Sequence, residues 1–312
     1  MSFDLVTRPH ASLGGPASMR ARALARVRRR PAALLGGLIV AGFVLVAIAA
    51  PLLTAHGPGT RVGPPFAPPS AAHPLGLDDG GVDVLSQLIW GARVSLLIGF
   101  AAAAVSMLVG GSLGLLSGYF GGVVDTVLAR VIDYFLVVPV LPLMIVVAAI
   151  WGPSVLHIIV IVGLLLWTTT ARVVRAQVQS VRERGYVRRA EAIGAGHARI
   201  VVRHVLPQVG PLLIANTVLT VGVAIFAETA LAFLGLGDPS AASWGAMIEA
   251  AFSGSAISAG AWWAIVPPGL CVAAVIIGCS LVGVSVEDAL NPRLATSHLS
   301  RRTFRLIRDA DD

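Results

Sequence analysis

The sequence predicts an all-α integral membrane protein with six transmembrane helices. Of its 312 residues, 56% are hydrophobic and only 12% are charged, whereas about a quarter of the residues of a soluble protein are charged. Six segments are apolar over about the 20 residues that a helix needs to cross a bilayer. A soluble fold of this composition would expose large apolar patches, and disorder requires low hydrophobicity with high charge. Both classes are therefore excluded.

The six predicted spans are residues 32–54, 94–116, 131–150, 155–170, 212–234 and 263–286. The second span repeats a small residue at every fourth position, which predicts close packing against another helix; these residues are Ala102, Ser106, Gly110, Gly114 and Gly118. The third span contains Pro139 and Pro142, which remove backbone donors and are expected to kink it. A kink that lines a pathway and an ordinary packed kink both remain open.

The arginines predict the orientation of the chain. All 23 basic residues are Arg, and with a cytoplasmic N-terminus only Arg61 and Arg93 fall outside, so both termini are expected in the cytoplasm. The domain boundaries that follow are a basic cytoplasmic tail (1–31), a first helix (32–54), an extracytoplasmic loop (55–92), a core of five helices (93–288) with a cytoplasmic loop (172–208), and a cytoplasmic C-terminal tail (289–312). The basic tail is interpreted as an anchor at the anionic leaflet of the bilayer and not as a nucleic-acid-binding arm.

Composition also limits the chemistry of the chain. Without Lys it cannot carry the phosphate-binding loop of a nucleotide hydrolase, and it has no His or Cys cluster at metal-ligand spacing. We therefore predict no catalytic residues, no metal and no cofactor on this chain. Carboxylates within spans are costly and are candidates for function. Asp133 is expected to be hydrated near an interface, whereas for Glu228 a hydrated and a functional role are both open.

The cytoplasmic loop contains a short second helix, predicted at residues 186–195. Small residues recur on it at helical spacing and predict a narrow face that could enter a groove of a partner; these are Val187, Ala190 and Gly194, and they are surrounded by Arg188, Arg189 and Glu191. The loop ends at Leu206 and Pro207, where proline can occupy the first turn of the fifth span.

This loop resembles the cytoplasmic motif of bacterial ABC-importer permeases, in which Glu-Ala-Ala is followed by Gly and then by Ile-x-Leu-Pro. The residues that match are Ala190, Gly194, Leu206 and Pro207, and those that depart are Arg188, Arg189 and His204. Three further stretches, residues 73–96, 228–245 and 262–293, resemble the second, C-type permease subunit of the peptide and nickel subfamily.

The resemblance implies a type I (MetI-like) ABC-importer permease fold in the bacterial inner membrane, which forms one half of a pore. Its implied partners are a homologous permease subunit, two ABC ATPase subunits that bind ATP and Mg, and an extracytoplasmic solute-binding protein. The implied ATPase-coupling residues are Val187, Arg188, Arg189, Ala190, Glu191, Gly194, Leu206 and Pro207. The implied outer gate and translocation path comprise Glu228, Phe233, Gly235, Gly237, Pro139 and Pro142.

Import of dipeptides or oligopeptides is the expected function, and the chain itself is not expected to be an enzyme. Three alternatives stay open at this point. They are a permease for nickel chelates or other small solutes, a membrane scaffold that transports nothing, and a channel or secondary carrier. A secondary carrier is disfavoured because the spans contain no chain of buried acids or histidines.

Overall fold

The computed structural model describes residues 31–54 and 56–290, so most of the two predicted tails lies outside the described residues. The helices in chain order are α1 (Pro31–Leu53), α2 (Val84–Phe120), α3 (Gly122–Val137), α4 (Val140–Trp151), α5 (Val155–Arg182), α6 (Gly185–Ala192), α7 (His197–Ile200), α8 (Leu206–Leu231), α9 (Trp244–Ser253) and α10 (Trp262–Leu290). We call the end of the bundle that carries residues 182–205 the arginine-rich end. The end that carries residues 56–83 and 237–261 is called the loop end.

The predicted all-helical fold is confirmed, with five membrane-length helices and a bent helix pair where the third of the six predicted spans lies. Within the described residues, α1, α2, α5, the segment His197–Leu236 and α10 are each long and apolar enough to cross a membrane. The pair α3 and α4, whose axes are bent by 85° relative to each other, makes a sixth span if the two helices are counted as one. Pro139 caps α4 and Pro142 lies in its first turn. The predicted kink is therefore confirmed, although α3 begins at Gly122, well before the predicted boundary.

The small-residue stripe of α2 packs against α5, as predicted. A Cβ atom added to Gly114 would lie 2.5 Å from the carbonyl oxygen of Ala171, and one added to Gly118 would lie 2.7 Å from that of Arg175. Beside this contact, the Ser106 hydroxyl lies 3.1 Å from Thr170 Oγ1, and Asn216 Nδ2 donates to the same Thr170 oxygen at 3.0 Å. Backbone proximity and a buried polar contact thus join α2, α5 and α8.

The start of the fifth span differs in part from the prediction. Pro207 lies in the first turn of α8 as expected, but the backbone before it is already helical. A π turn, Val201–Val205, connects α7 to α8, and the Leu206 N–H donates to the Val201 carbonyl. Because Pro207 has no N–H to donate to the preceding turn, a wider turn can form there without losing a regular hydrogen bond.

At the loop end, residues 56–83 lie within the predicted loop and are folded against the bundle. Isolated β-bridges join Arg61 to Val82 and Leu77 to Asp83. Asp83 caps α2, because its Oδ2 accepts a hydrogen bond from the Ser86 N–H at 2.8 Å. The Trp263 indole of α10 donates to the Leu77 carbonyl at 3.1 Å. These contacts hold the loop against the bundle.

Candidate functional sites

The first candidate site is α6, the short helix at the arginine-rich end. Val187 is fully buried and Ala190 is 8% exposed, so both face the protein itself. They belong to one apolar cluster with residues from the ends of three spans, namely Tyr119, Val174, Val178, Val181, Ile200, Val205 and Val209. The predicted small-residue face that enters a partner is therefore wrong for Val187 and Ala190. These two side chains instead fasten α6 to the ends of α2, α5 and α8.

The exposed side of α6 is cationic. Arg188, Arg189 and Glu191 are exposed, and Ile193, which follows the helix, is 84% exposed. Gly194 then adopts a φ of +79° with open space around it. A cleft of about 530 Å³ separates α6 from the neighbouring helix ends, and Arg182, Arg188, Gln179, Glu183 and Glu191 line it. Any partner that meets this surface contacts arginines together with exposed apolar side chains such as Ile193.

A hydrogen bond that the sequence did not predict joins α2 to α7 in the same region. The hydroxyl of Tyr119, at the end of α2, lies 3.0 Å from Nδ1 of His197 in α7. Tyr119 is only 3% exposed. No local pattern could have paired two residues so distant in the chain, because the contact depends on how α2 and α7 pack.

The second candidate site is a buried carboxylate at the loop end. Glu228 in α8 is 1% exposed, and its Oε2 accepts from the hydroxyls of Ser95 and Thr229, each at 3.4 Å. The Ser95 oxygen in turn accepts from the backbone N–H of Trp244 at 3.1 Å. Ser243 caps α9, with its Oγ accepting from the Ala246 N–H at 3.2 Å. The hydrated interpretation of Glu228 is therefore wrong, because α2, α8 and α9 enclose the carboxylate.

The first residues of α9 fix this helix across the loop end of the bundle. The Trp244 side chain is fully buried, and its indole donates to the Leu88 carbonyl at 3.0 Å. Gly245 permits close approach to α8, since a Cβ atom there would lie 2.8 Å from Cα of Thr229. The beginning of α9 thus covers the ends of α2 and α8.

The other predicted gate residues lie beside α9 and at the bend of the third span. Phe233 is 40% exposed, and its ring centroid lies 5.5 Å from that of Phe252 in α9. Gly235, in the π turn Ala232–Leu236, has a φ of +76°. Gly237 follows this turn, while Pro139 and Pro142 lie at the bend of the third span and are exposed. Leu236 and Met144 of α4 share one apolar cluster, so the turn and the bent pair meet.

Two ion pairs connect α3 to α5, and neither was predicted. Asp125 and Arg175 form a two-pronged pair with distances of 2.5 and 2.8 Å. Asp133 and Arg172 form a single hydrogen bond of 3.0 Å, with side chains that are 59% and 58% exposed. The exposure of Asp133 is compatible with the hydrated position predicted for it, whereas its partner Arg172 could not be read from the sequence. Among the described residues, no group of three His, Cys, Asp or Glu side chains is placed to hold a metal.

The described residues form a bundle of apolar, membrane-length helices with the short helix α6 at one end and α9 across the other, which is the architecture of a multi-pass membrane protein. Residues 110–296 match the family described as the binding-protein-dependent transport system inner membrane component. Residues 18–69 match the N-terminal TM domain of oligopeptide transport permease C. The chain therefore belongs to the inner membrane components of binding-protein-dependent transport systems, as the resemblance implied, and it is a multi-pass protein of the bacterial inner membrane.

Individual relatives extend this match over most of the chain. The dipeptide transport system permease protein DppC of Alkalihalophilus pseudofirmus is 33% identical over 278 residues, which cover 87% of this chain and 89% of the relative. The oligopeptide transport system permease protein OppC of Bacillus subtilis is 33% identical over 275 residues, covering 87% and 89%. A putative peptide transport system permease protein of Brucella abortus is 36% identical over 282 residues, covering 89% and 93%.

Proposed function

We propose that this chain is one of two membrane subunits of an ATP-driven importer that carries dipeptides or oligopeptides into the cell. The names of its relatives, which are peptide transport permeases, support the substrate class. The arginine distribution supports an orientation in which the arginine-rich end and both termini are cytoplasmic. ATP and Mg would be bound by two partner ATPase subunits, because a chain without Lys cannot form the phosphate-binding loop that hydrolysis requires.

The observation that carries this proposal is the apolar contact that holds α6 against the ends of the spans. Its exposed side presents Arg188, Arg189, Glu191 and Gly194, whereas Val187 and Ala190 fix the helix to three spans at once. A close-packed apolar contact transmits displacement because it cannot be compressed. An ATPase that pulls on α6 would therefore shift the ends of α2, α5 and α8 together. Leu206 and Pro207, directly after the π turn, would set the direction in which α8 follows.

At the loop end, the proposed outer gate is α9 with its contact to Glu228. In the described conformation α9 covers the bundle, and hydrogen bonds from Ser95 and Thr229 hold the carboxylate beneath it. Opening would require this cluster to separate, with Gly235 and Gly237 allowing the chain to turn beside Phe233. Pro139 and Pro142 would provide a second joint at the bend of the third span. Alternating access then has two discrete end states for ATP to bias.

Reconstituted vesicles test the proposal. The complete complex would contain this chain, a homologous permease, two ATPase subunits and the extracytoplasmic binding protein. We expect peptide accumulation that requires ATP and that stops when the ATPase subunits are omitted. Accumulation against a gradient by this chain alone would contradict the proposal. Accumulation of nickel chelates in place of peptides would correct the substrate class.

A further inference from the structure

We propose that the groove between α1 and α10 at the arginine-rich end binds one anionic phospholipid, with an acyl chain along α10 and the phosphate beside residues 28–30. The inference is independent of the proposed function, because it concerns the outer surface of the bundle and not the passage of a substrate. It rests on the shape of the groove, on its lining and on the charge of the chain at its mouth.

The groove lies where α1 begins and α10 ends. The two helices nearly touch at one level, since a Cβ atom added to Gly36 would lie 2.5 Å from the carbonyl oxygen of Gly278. Beside this contact runs a groove of about 610 Å³, with Pro31 and Ala32 as its wall on α1. The rest of its lining belongs to α10, so an occupant would lie along that helix.

The lining on α10 forms a lengthwise apolar stripe. Ile277, Leu281 and Val284 follow one another at three- or four-residue spacing and therefore share a face. Ser280 and Ser285 are small polar side chains on the same wall. The side chains of Ile277 and Val284 are 55% and 51% exposed, so the groove opens sideways, away from the centre of the bundle.

The length of the groove corresponds to one leaflet of a bilayer. Its lining on α10 extends from Ile276 to Asp288, which is about 18 Å at 1.5 Å per residue. The hydrocarbon core is about 30 Å thick, and each leaflet contributes half of it. Because Asp288 lies close to the end of α10, the groove runs from the headgroup level toward the middle of the membrane.

The chain at the mouth of the groove is cationic. Residues 28–30 are all Arg and directly precede Pro31, which lines the groove. Since consecutive Cα atoms lie about 3.8 Å apart, the covalent chain alone keeps these three Cα atoms within about 11 Å of that of Pro31. Together with Arg26, they outnumber Glu287 and Asp288, the two carboxylates at the end of α10. The mouth therefore attracts an anionic headgroup.

An anionic phospholipid matches both parts of the groove. Its tail would cover Ile277 and Val284 within one leaflet, and its phosphate would meet the arginines at the level of the headgroups. Guanidinium groups bind phosphate through charge-assisted, often bidentate hydrogen bonds. A soluble anion would satisfy the arginines and leave the apolar stripe uncovered. An apolar partner helix would cover the stripe and leave the arginines without a counter-charge.

Lipid retention by the purified complex tests the charge at the mouth. The complex is equilibrated in vesicles of phosphatidylglycerol and phosphatidylcholine, solubilised, and its bound lipids are counted by native mass spectrometry at decreasing phosphatidylglycerol content. We expect the triple variant Arg28→Gln, Arg29→Gln and Arg30→Gln to weaken retention of one phosphatidylglycerol about tenfold or more, since each arginine contributes about fivefold.

The matched control for charge is the triple variant Arg301→Gln, Arg302→Gln and Arg305→Gln. It removes the same three charges from the chain, but at positions more than ten residues beyond Leu290, the last residue of α10. We expect it to retain phosphatidylglycerol as the wild type does. Equal losses in the two triple variants would overturn the proposal, because the effect would then depend on net charge and not on the groove.

A groove-filling variant tests the apolar stripe without changing any charge. Val284→Trp places an indole in the groove and is expected to remove one bound phosphatidylglycerol from each complex. Leu35→Trp on α1 is its control, since Leu35 is 55% exposed near the same end of the bundle but lies outside the described lining of the groove. This control should retain the lipid.

Two further results would overturn the proposal. One is an equal lipid count in Val284→Trp and Leu35→Trp, and this comparison decides the matter even if the first triple variant fails to insert, because both Trp variants keep every arginine. The other is retention of phosphatidylglycerol by the isolated chain but not by the complete complex, which would assign the groove to a neighbouring subunit.

Discussion

Gly194 follows α6 with a φ of +79° and open space where a Cβ atom would lie. Replacement by Val therefore meets backbone strain and no steric clash, at a cost of about 1–2 kcal/mol for a left-handed L residue. We expect Gly194→Val to displace the loop after α6 and to abolish ATP-dependent uptake, while insertion and assembly persist. Peptide uptake and co-purification of the subunits measure the two effects.

The matched control for this change is Gly196→Val. Gly196 lies two residues further on, also has nothing within 4 Å of its added Cβ, and has a φ of −63° that any residue adopts. Uptake by Gly196→Val is expected to match the wild type. Unchanged uptake in Gly194→Val would remove this residue from the coupling assignment.

The buried Glu228 carboxylate leads to a second prediction, which concerns the stability of the loop end. Glu228→Ala leaves the buried Ser95 hydroxyl without its acceptor, whereas Thr229 still donates to the Ile225 carbonyl at 2.8 Å. An unsatisfied buried polar group costs about 1–3 kcal/mol. We expect a lower Tm of the solubilised complex and faster proteolysis at α9. Glu228→Gln, which keeps an acceptor oxygen, should have a smaller effect. Glu249→Ala on α9 controls for loss of a carboxylate at the same end, and an equal drop there would contradict the role of Glu228.

Asp79, in the folded loop before α2, predicts a dependence on pH. Burial raises the pKa of the Asp79 carboxyl above its ordinary value, and the neighbouring Asp78 raises it further. A raised pKa means that the folded state binds the proton more tightly, so the destabilisation is absent at low pH and develops as pH rises through the shifted pKa. Asp79→Asn should therefore raise the Tm at neutral pH and have little effect in acid.

The control for Asp79 is its neighbour. Asp78 accepts from the Val82 N–H at 2.7 Å and from the Gln87 side-chain amide, so Asp78→Ala, which removes both acceptors, is expected to lower the Tm at neutral pH. A neutral-pH Tm of Asp79→Asn at or below that of the wild type would contradict the assigned pKa direction.

At the scale of elements, the close contact between α2 and α5 should not tolerate larger side chains at the glycine positions of α2. Gly114→Leu would place atoms against the Ala171 carbonyl and against Val174 Cβ, which lies 2.9 Å from an added Cβ. Because backbone atoms cannot move aside cheaply, we expect overpacking of about 1–3 kcal/mol or more and a loss of folded chain. Gly37→Leu in α1 is the control, since nothing lies within 4 Å of its Cβ position. Size-exclusion profiles of the solubilised variants distinguish them, and equal profiles would contradict the packing argument.

The elements that sequence reasoning predicted are those with a local cause. The positions of the spans follow from hydropathy, the stripe of α2 from four-residue spacing, and the bend of the third span from Pro139 and Pro142. The predicted lengths are too short for α2 and α5, which run from Val84 to Phe120 and from Val155 to Arg182. The 85° angle of that bend depends on how α4 packs against α5, which no local pattern contains. The inward orientation of Val187 and Ala190, and the enclosure of Glu228 beneath α9, likewise depend on helices distant in the sequence.

At the scale of the whole molecule, the two ends of the bundle differ in charge and in construction. At the arginine-rich end, the cationic short helix α6 packs on an apolar cluster that it shares with the ends of three spans. The loop end is closed by a folded loop and by α9. Because cytoplasmic loops carry the excess of arginine, this asymmetry predicts that the arginine-rich end is cytoplasmic and the loop end extracytoplasmic. The proposed coupling and gating roles both depend on that assignment.

Single cysteines test the assignment in a chain with Cys271→Ser and Cys279→Ser. Ser70→Cys lies on the exposed loop of the loop end, and Ala198→Cys lies on exposed α7 at the arginine-rich end. In right-side-out vesicles we expect a membrane-impermeant reagent to label only Ser70→Cys, and in inverted vesicles only Ala198→Cys. The opposite pattern would place α6 outside, where no ATPase could reach it. Each probe serves as the control of the other, because permeabilised vesicles must label both.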